Sequence, residues 1–331
     1  MKKPANFMLN RIWIFSLLIG LALLAFLTLE DLGTPKEAVA SREPAGSAVF
    51  APPPHIEEVR AEVTVISDLI YEEDSGALLD LYIPATLDEP VPVILWIHGG
   101  GYVGGSKNSR RDYATTLAHD GYLVANIDYG LAPEQLYPGP IFQANAALEY
   151  LQKHAADFGG DMNRVFIGGD SAGAQIASQL SAVISNSGLA DRMEIMTAID
   201  PEKLRGAILF CGLYNMDTVS ATGFPNINYF LNTYTGTAAF ESFIDLKELS
   251  TVRHITPDFP DTFISVGDGD PLAPQSVELA ETIQSQGIAV ETMFFEGSEK
   301  NLQHEFQYAL DTLDAQETLS RTLHFLSIKS R

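Results

Sequence analysis

Short apolar bursts alternate along this chain with longer stretches whose apolar positions recur every three or four residues. The bursts at 62–70, 78–83, 93–98, 123–128, 164–167, 204–210, 262–266 and 290–295 read as β-strands. Most are apolar at consecutive positions, as strands covered on both faces are. The stretches at 141–158, 172–186, 274–286 and 306–325 read as amphipathic helices. Strands alternating with helices, without internal repeats, predict an α/β domain with a mostly parallel central sheet and helices on both faces. The rhythm breaks between 212 and 256, where Tyr214, Phe224, Tyr229, Phe230, Tyr234, Phe240 and Phe243 cluster among small polar residues. Such a cluster either packs a surface helix on the core or covers something at the end of the sheet.

The N-terminus follows different physics. Lys2, Lys3 and Arg11 precede a charge-free apolar run at 12–29, and Glu30 and Asp31 follow it. The run is long enough to span a bilayer, and its cationic flank, residues 1–11, belongs in the cytoplasm. The expectation is a membrane anchor with the folded domain outside. A signal peptide cleaved at Ala38-Val39-Ala40, giving an exported protein, is the rival. The distance of that site from the apolar run favours a retained anchor. Residues 30–60, rich in Ala, Pro, Ser and Glu and including Pro52, Pro53 and Pro54, read as an extended tether. The domain then occupies 61–331. With 46% hydrophobic residues in a chain of 331, it can bury a sizeable core. The sole cysteine, Cys211, ends a strand-like run and reads as a buried small hydrophobe.

Candidate chemistry centres on Gly169-Asp170-Ser171-Ala172-Gly173, a G-x-S-x-G set directly between a strand-like and a helix-like run. In that context the serine sits on a sharp strand-to-helix turn with its hydroxyl exposed, and flanking glycines avoid collisions with nearby backbone. The bland alternative is a chance match of common residues. Upstream, a buried-strand pattern runs into His98-Gly99-Gly100-Gly101. Such a glycine run leaves backbone N–H groups free to hold an oxygen that becomes negatively charged. A flexible turn or a phosphate loop is the competing reading, but the run lacks the Lys-Ser/Thr ending of a P-loop.

A serine hydroxyl needs a base and a group to orient that base. Both should follow strands downstream of Ser171. Of the seven histidines, His55 and His98 precede the serine, His119 and His154 lie in helix-like segments, His254 precedes the acid strand and His324 falls in the terminal helix. His304 remains. The acid is Asp270 or Asp268, in the Gly267-Asp268-Gly269-Asp270-Pro271-Leu272 turn; Asp268 reads as turn chemistry, which favours Asp270.

The His98–Gly101 loop, the Ser171 elbow, Asp128-Tyr129-Gly130-Leu131-Ala132-Pro133-Glu134 and Asp270-Pro271-Leu272 together resemble the hormone-sensitive-lipase-like family of α/β-hydrolase esterases, from about residue 78 to the C-terminus. The resemblance implies an α/β-hydrolase fold and a serine carboxylesterase acting on short- to medium-chain acyl esters. It implies N–H groups of Gly100, Gly101 and Ala172 as oxyanion donors, a supporting role for Glu134, and a cap at about 212–256. No metal or organic cofactor is called for. Three positions depart from the family's pattern: Ala174 for a second glycine, Gly130 for arginine, and Glu305 for the glycine of a frequent His-Gly-Phe. Two alternatives stay open: a non-catalytic binding module on the same scaffold, and a hydrolase of peptides or arylformamides. The net charge of −23 argues against nucleic acid and anionic headgroups as partners. A small neutral or cationic ester fits it better. The one further partner expected is the membrane, through the N-terminal apolar run.

Overall fold

A computed structural model describes residues 50–331. The expected anchor at 12–29 and the tether as far as residue 49 lie outside them. Among the described residues no helix is long and apolar enough to cross a membrane. The described end of the tether folds into a short helix, α1 (Ile56–Ala61).

Eight strands follow: β1 (Val63–Glu72), β2 (Ala77–Pro84), β3 (Val91–Ile97), β4 (Leu123–Ile127), β5 (Gly160–Asp170), β6 (Leu204–Phe210), β7 (Thr262–Val266) and β8 (Val290–Phe294). They form one sheet in the order β1-β2-β4-β3-β5-β6-β7-β8. The β1–β2 and β2–β4 pairs are antiparallel and all the others parallel. This is the α/β-hydrolase arrangement. The helices are α2 (Arg111–His119), α3 (Gly139–His154), α4 (Ala172–Ser185), α5 (Ser187–Arg192), α6 (Ile227–Thr235), α7 (Leu246–Leu249), α8 (Ala273–Ser285) and α9 (Leu313–Lys329).

The consecutive apolar residues of the strands have a simple cause. Successive side chains point to opposite faces, and both faces are covered. Val93, Leu95 and Ile97 of β3 join a core with Ile141 and Leu148 of α3, Ile176 of α4 and Leu279 of α8. Ile94 and Trp96 of the same strand join a second core with Tyr113 and Leu117 of α2 and Phe325 of α9. The sheet is thereby rigid, and the loops beyond its C-terminal strand ends inherit fixed origins.

Two elements differ from the sequence pattern. The terminal helix was expected at 306–325, but Phe306–Tyr308 form a short 3-10 turn and α9 begins only at Leu313. Thr312 caps α9, its hydroxyl accepting the Ala315 N–H. The break lets Tyr308 turn inward instead of continuing a helix. The helix α2 buries Tyr113, Ala114, Leu117 and Ala118 on one face, but it is short and polar on average, so it does not stand out in the sequence.

The irregular stretch at 212–256 holds α6, α7 and short 3-10 turns. Tyr214, Tyr234 and Phe240 are fully buried. Tyr234 stacks on Tyr102, just after the glycine run, with ring centroids 3.8 Å apart. Phe224 and Phe230 line a cleft instead. Some of the segment's aromatics thus pack on the core, and others line the cleft that holds Ser171.

Candidate active site

Ser171 stands between β5 and α4 with φ 51° and ψ −120°. A non-glycine residue in so sparsely populated a region costs about 1–3 kcal/mol and persists only when its surroundings over-determine it. Here they do. The Ser171 N–H donates to the Phe210 carbonyl at 2.9 Å, and the Ser171 carbonyl accepts the Gln175 N–H at 3.2 Å. The following Gly173 is forced by contact, because a Cβ there would lie 2.1 Å from the Ile97 carbonyl oxygen and 2.5 Å from that of His98. The elbow is pressed against the end of β3, and the serine side chain is left lining the cleft.

The loops after β7 and β8 bring the other two groups to it. His304 Nε2 lies 3.0 Å from Ser171 Oγ, and its Nδ1 lies 2.8 Å from Asp270 Oδ2. A carboxylate only accepts, so Nδ1 carries the proton and Nε2 presents a lone pair to the serine hydroxyl. Asp270 is buried, and its Oδ1 accepts the Leu272 N–H at 2.8 Å, which fixes the carboxylate. Asp268 points elsewhere. It accepts the N–H groups of Asn301 and Leu302 and the Ser298 hydroxyl, pinning the loop that carries His304. Asp268 serves the turn and Asp270 faces the imidazole.

The glycine run after β3 closes the site from the other side. Gly100 has φ 123°, and a Cβ there would meet the Gly104 carbonyl oxygen at 2.1 Å. The Gly100 carbonyl accepts from the N–H groups of Val103 and Gly104, so the loop folds back on itself. His98 donates from Nδ1 to the Gly99 carbonyl at 2.7 Å and stacks on Tyr129, whose hydroxyl donates to the His98 carbonyl at 2.9 Å. Tyr129 therefore shows what part of the 128–134 segment does: it braces the glycine loop. Glu134 is exposed on the same segment. No acceptor among the described residues engages the N–H of Gly100 or Gly101. Ala172 is the first residue of α4, where the helix dipole also favours negative charge.

The cleft above these groups has a volume of about 720 Å³. Ser171, His304, Gly100 and Gly101 line it together with Phe224 and Phe230. Phe224 stands edge-on to the His304 ring, centroids 4.7 Å apart. The described end of the tether reaches it too, with Phe50 on the rim and its ring 5.9 Å from that of Tyr308.

The electrostatics of His304 favour its protonated form. Burial disfavours the imidazolium of His304, but the hydrogen bond to the Asp270 carboxylate outweighs it and holds the pKa well above the ordinary value of 6.5. Burial pushes the Cys211 thiol up to about 11, so it stays protonated at neutral pH. The sequence marked Cys211 as a buried apolar residue. It is buried, but it stands beside the imidazole, which only folding reveals. A Cys211 sulfur, an Asp270 oxygen and a His304 nitrogen lie within 4.8 Å of one another, the one metal-type cluster among the described residues. Both ring nitrogens of His304 are hydrogen-bonded, to Asp270 and to Ser171.

Comparison with known proteins identifies the family. Residues 79–283 match the BD-FAE family model, which is well over half of the chain. The chain is 27% identical over 252 residues to the carboxylesterase NlhH of Mycobacterium tuberculosis, covering 72% of this chain and 74% of that one. It is 26% identical over 239 residues to the probable isoprenylcysteine alpha-carbonyl methylesterase ICMEL1 of Arabidopsis thaliana, covering 69% of this chain. The match spans about half of that plant protein's length, 49%. Among solved structures, esterase B from Lactobacillus rhamnosis superposes with a TM-score of 0.72 at 22% identity, covering 83% of this chain and 90% of that one. The chain belongs to the BD-FAE family, on the α/β-hydrolase fold of the hormone-sensitive-lipase-like ester hydrolases.

Proposed function

We propose that this protein is a serine carboxylesterase that cleaves short- to medium-chain acyl esters by acyl transfer to water. The observation that carries the reading is the continuous hydrogen-bonded chain from Asp270 through His304 to Ser171, opening on a cleft. His304 takes the serine proton as Ser171 Oγ attacks the ester carbonyl, and Asp270 holds the ring and stabilises the imidazolium. The N–H groups of Gly100, Gly101 and Ala172 receive the oxyanion. The imidazolium returns its proton to the leaving alcohol. Water, deprotonated by the same ring, then releases the acid and restores the serine. The 212–256 segment acts as the cap, and the closeness of Phe224 to the base and of Phe230 to the donor loop supports a preference for small acyl groups. An intact set of reacting groups speaks against a non-catalytic binding role.

The test is Ser171→Ala measured on a chain-length series of p-nitrophenyl esters. The variant is expected to fold and to lose turnover about 10⁶-fold, while the wild type favours the shorter acyl chains. A folded Ser171→Ala enzyme with near wild-type turnover removes the mechanism, and a wild-type optimum at long chains removes the substrate class.

The 12–29 run, supported by its flanking Lys2, Lys3 and Arg11, anchors the chain in a membrane with the catalytic domain on the far side from the cytoplasm.

A further inference from the structure

A second set of charges lies behind the nucleophile. Asp170, the variable residue of the elbow motif, is fully buried. Its Oδ2 accepts from Arg110 Nη2 at 2.7 Å, from Arg110 Nε at 3.1 Å and from the Gly99 N–H at 3.0 Å. Its Oδ1 accepts the Tyr308 hydroxyl at 2.7 Å. The same Arg110 Nη2 lies 2.7 Å from Oε2 of Glu305, the residue next to His304. The guanidinium also lies over the Tyr308 ring, 4.1 Å from its centroid. One side chain thus touches the elbow through Asp170 and the base loop through Glu305 and Tyr308, and through Asp170 it reaches the donor loop at Gly99.

The charges are consistent with a shared clamp. Burial raises Asp170, yet Arg110 and the Tyr308 hydroxyl outweigh it and keep the carboxyl below its usual range. Burial also raises Glu305, and Asp170 adds to this against the pull of Arg110. One cation serves two carboxyl groups, and Glu305 is the one that gives way to a proton first. The backbone of Glu305 is left-handed, with φ 62°. That conformation suits the glycine of the family's frequent His-Gly-Phe and strains a glutamate by about 1 kcal/mol or more. The strain is tolerated where the carboxylate meets Arg110.

We propose that Arg110 is a positioning residue: by bridging Asp170 and Glu305 it fixes the gap between the nucleophile elbow and the base loop, and with it the Ser171–His304 hydrogen bond. This rests on the acyl-transfer reading of the site. Misplacement of a reacting group by about 1 Å costs on the order of 10²-fold in rate, so the clamp should govern kcat more than KM.

The deciding variant is Glu305→Gly, which cuts one arm, relieves the strained backbone and leaves Arg110 on Asp170. Its melting temperature is expected to equal or exceed that of the wild type, while kcat for p-nitrophenyl acetate drops about tenfold with KM moved less than about threefold, as misplacement without lost binding requires. Arg110→Met is expected to lose about 10²-fold in kcat, with Glu305→Gly adding no further loss in that background. If Arg110→Met fails to fold, Glu305→Gly alone decides. A Glu305→Gly enzyme with wild-type kcat overturns the clamp, as do losses from the two changes that simply multiply. Ser171→Ala, run in parallel, separates the two claims. Activity surviving in it overturns the acyl-transfer reading itself, whereas its inactivity beside a fully active Glu305→Gly overturns the clamp alone.

Discussion

His304 sets the pH behaviour expected of this enzyme. Only the neutral ring can take the serine proton, so activity is lost as pH falls through the pKa of the imidazole. Burial opposes the charged ring, but the Asp270 carboxylate raises that pKa well above 6.5. The acidic limb of kcat/KM for p-nitrophenyl acetate is therefore expected above 6.5. Asp270→Asn should move the limb down and lower kcat by as much as roughly 10⁴-fold. An acidic limb that Asp270→Asn leaves in place would contradict the assignment of the acid. The three residues proposed to react could be picked from the sequence because each follows a strand in a fixed order: Ser171 after β5, Asp270 after β7, His304 after β8. Arg110 was not. It sits in a stretch with little apolar periodicity, and its partners Asp170 and Glu305 lie far along the chain. Glu305 stood out in the sequence as a departure, but nothing there pointed to the cation it meets.

Among the elements, the junction of β5, α4 and β3 places the nucleophile. Gly173 lets the first turn of α4 lie against the Ile97 and His98 carbonyls. Gly173→Ala should force them apart, costing about 1–3 kcal/mol as overpacking does and lowering the melting temperature by several degrees. Turnover should fall with it, because Ser171 and the donor loop share that contact. An unchanged thermal midpoint in the purified variant would show that the junction gives way easily. Most strands were legible to within two residues at either end, and those of the central sheet that are buried on both faces left the strongest signal. Helix ends were less so. The break before α9 depends on Thr312 capping the helix and on Tyr308 turning in to Asp170, and only the second of these needs the folded chain. The start of β5 at Gly160, ahead of its apolar run, likewise depends on pairing with β3.

For the molecule as a whole, the sheet order and the two cores follow from the alternation of strand-like and helix-like segments, and its acidity fits a small uncharged or cationic substrate better than a polyanion. The N-terminal run leads to an outcome at this scale. The full chain is expected to sediment with membranes and to stay there through an alkaline carbonate wash. A shorter, soluble product beginning after Ala40 would show a cleaved leader instead. Cap and base meet at a single aromatic contact, Phe224 edge-on to His304. The ring current of Phe224 must therefore displace the proton resonances of that imidazole, so the magnetic shift of one histidine reports in solution whether the roof over the cleft is down or lifted.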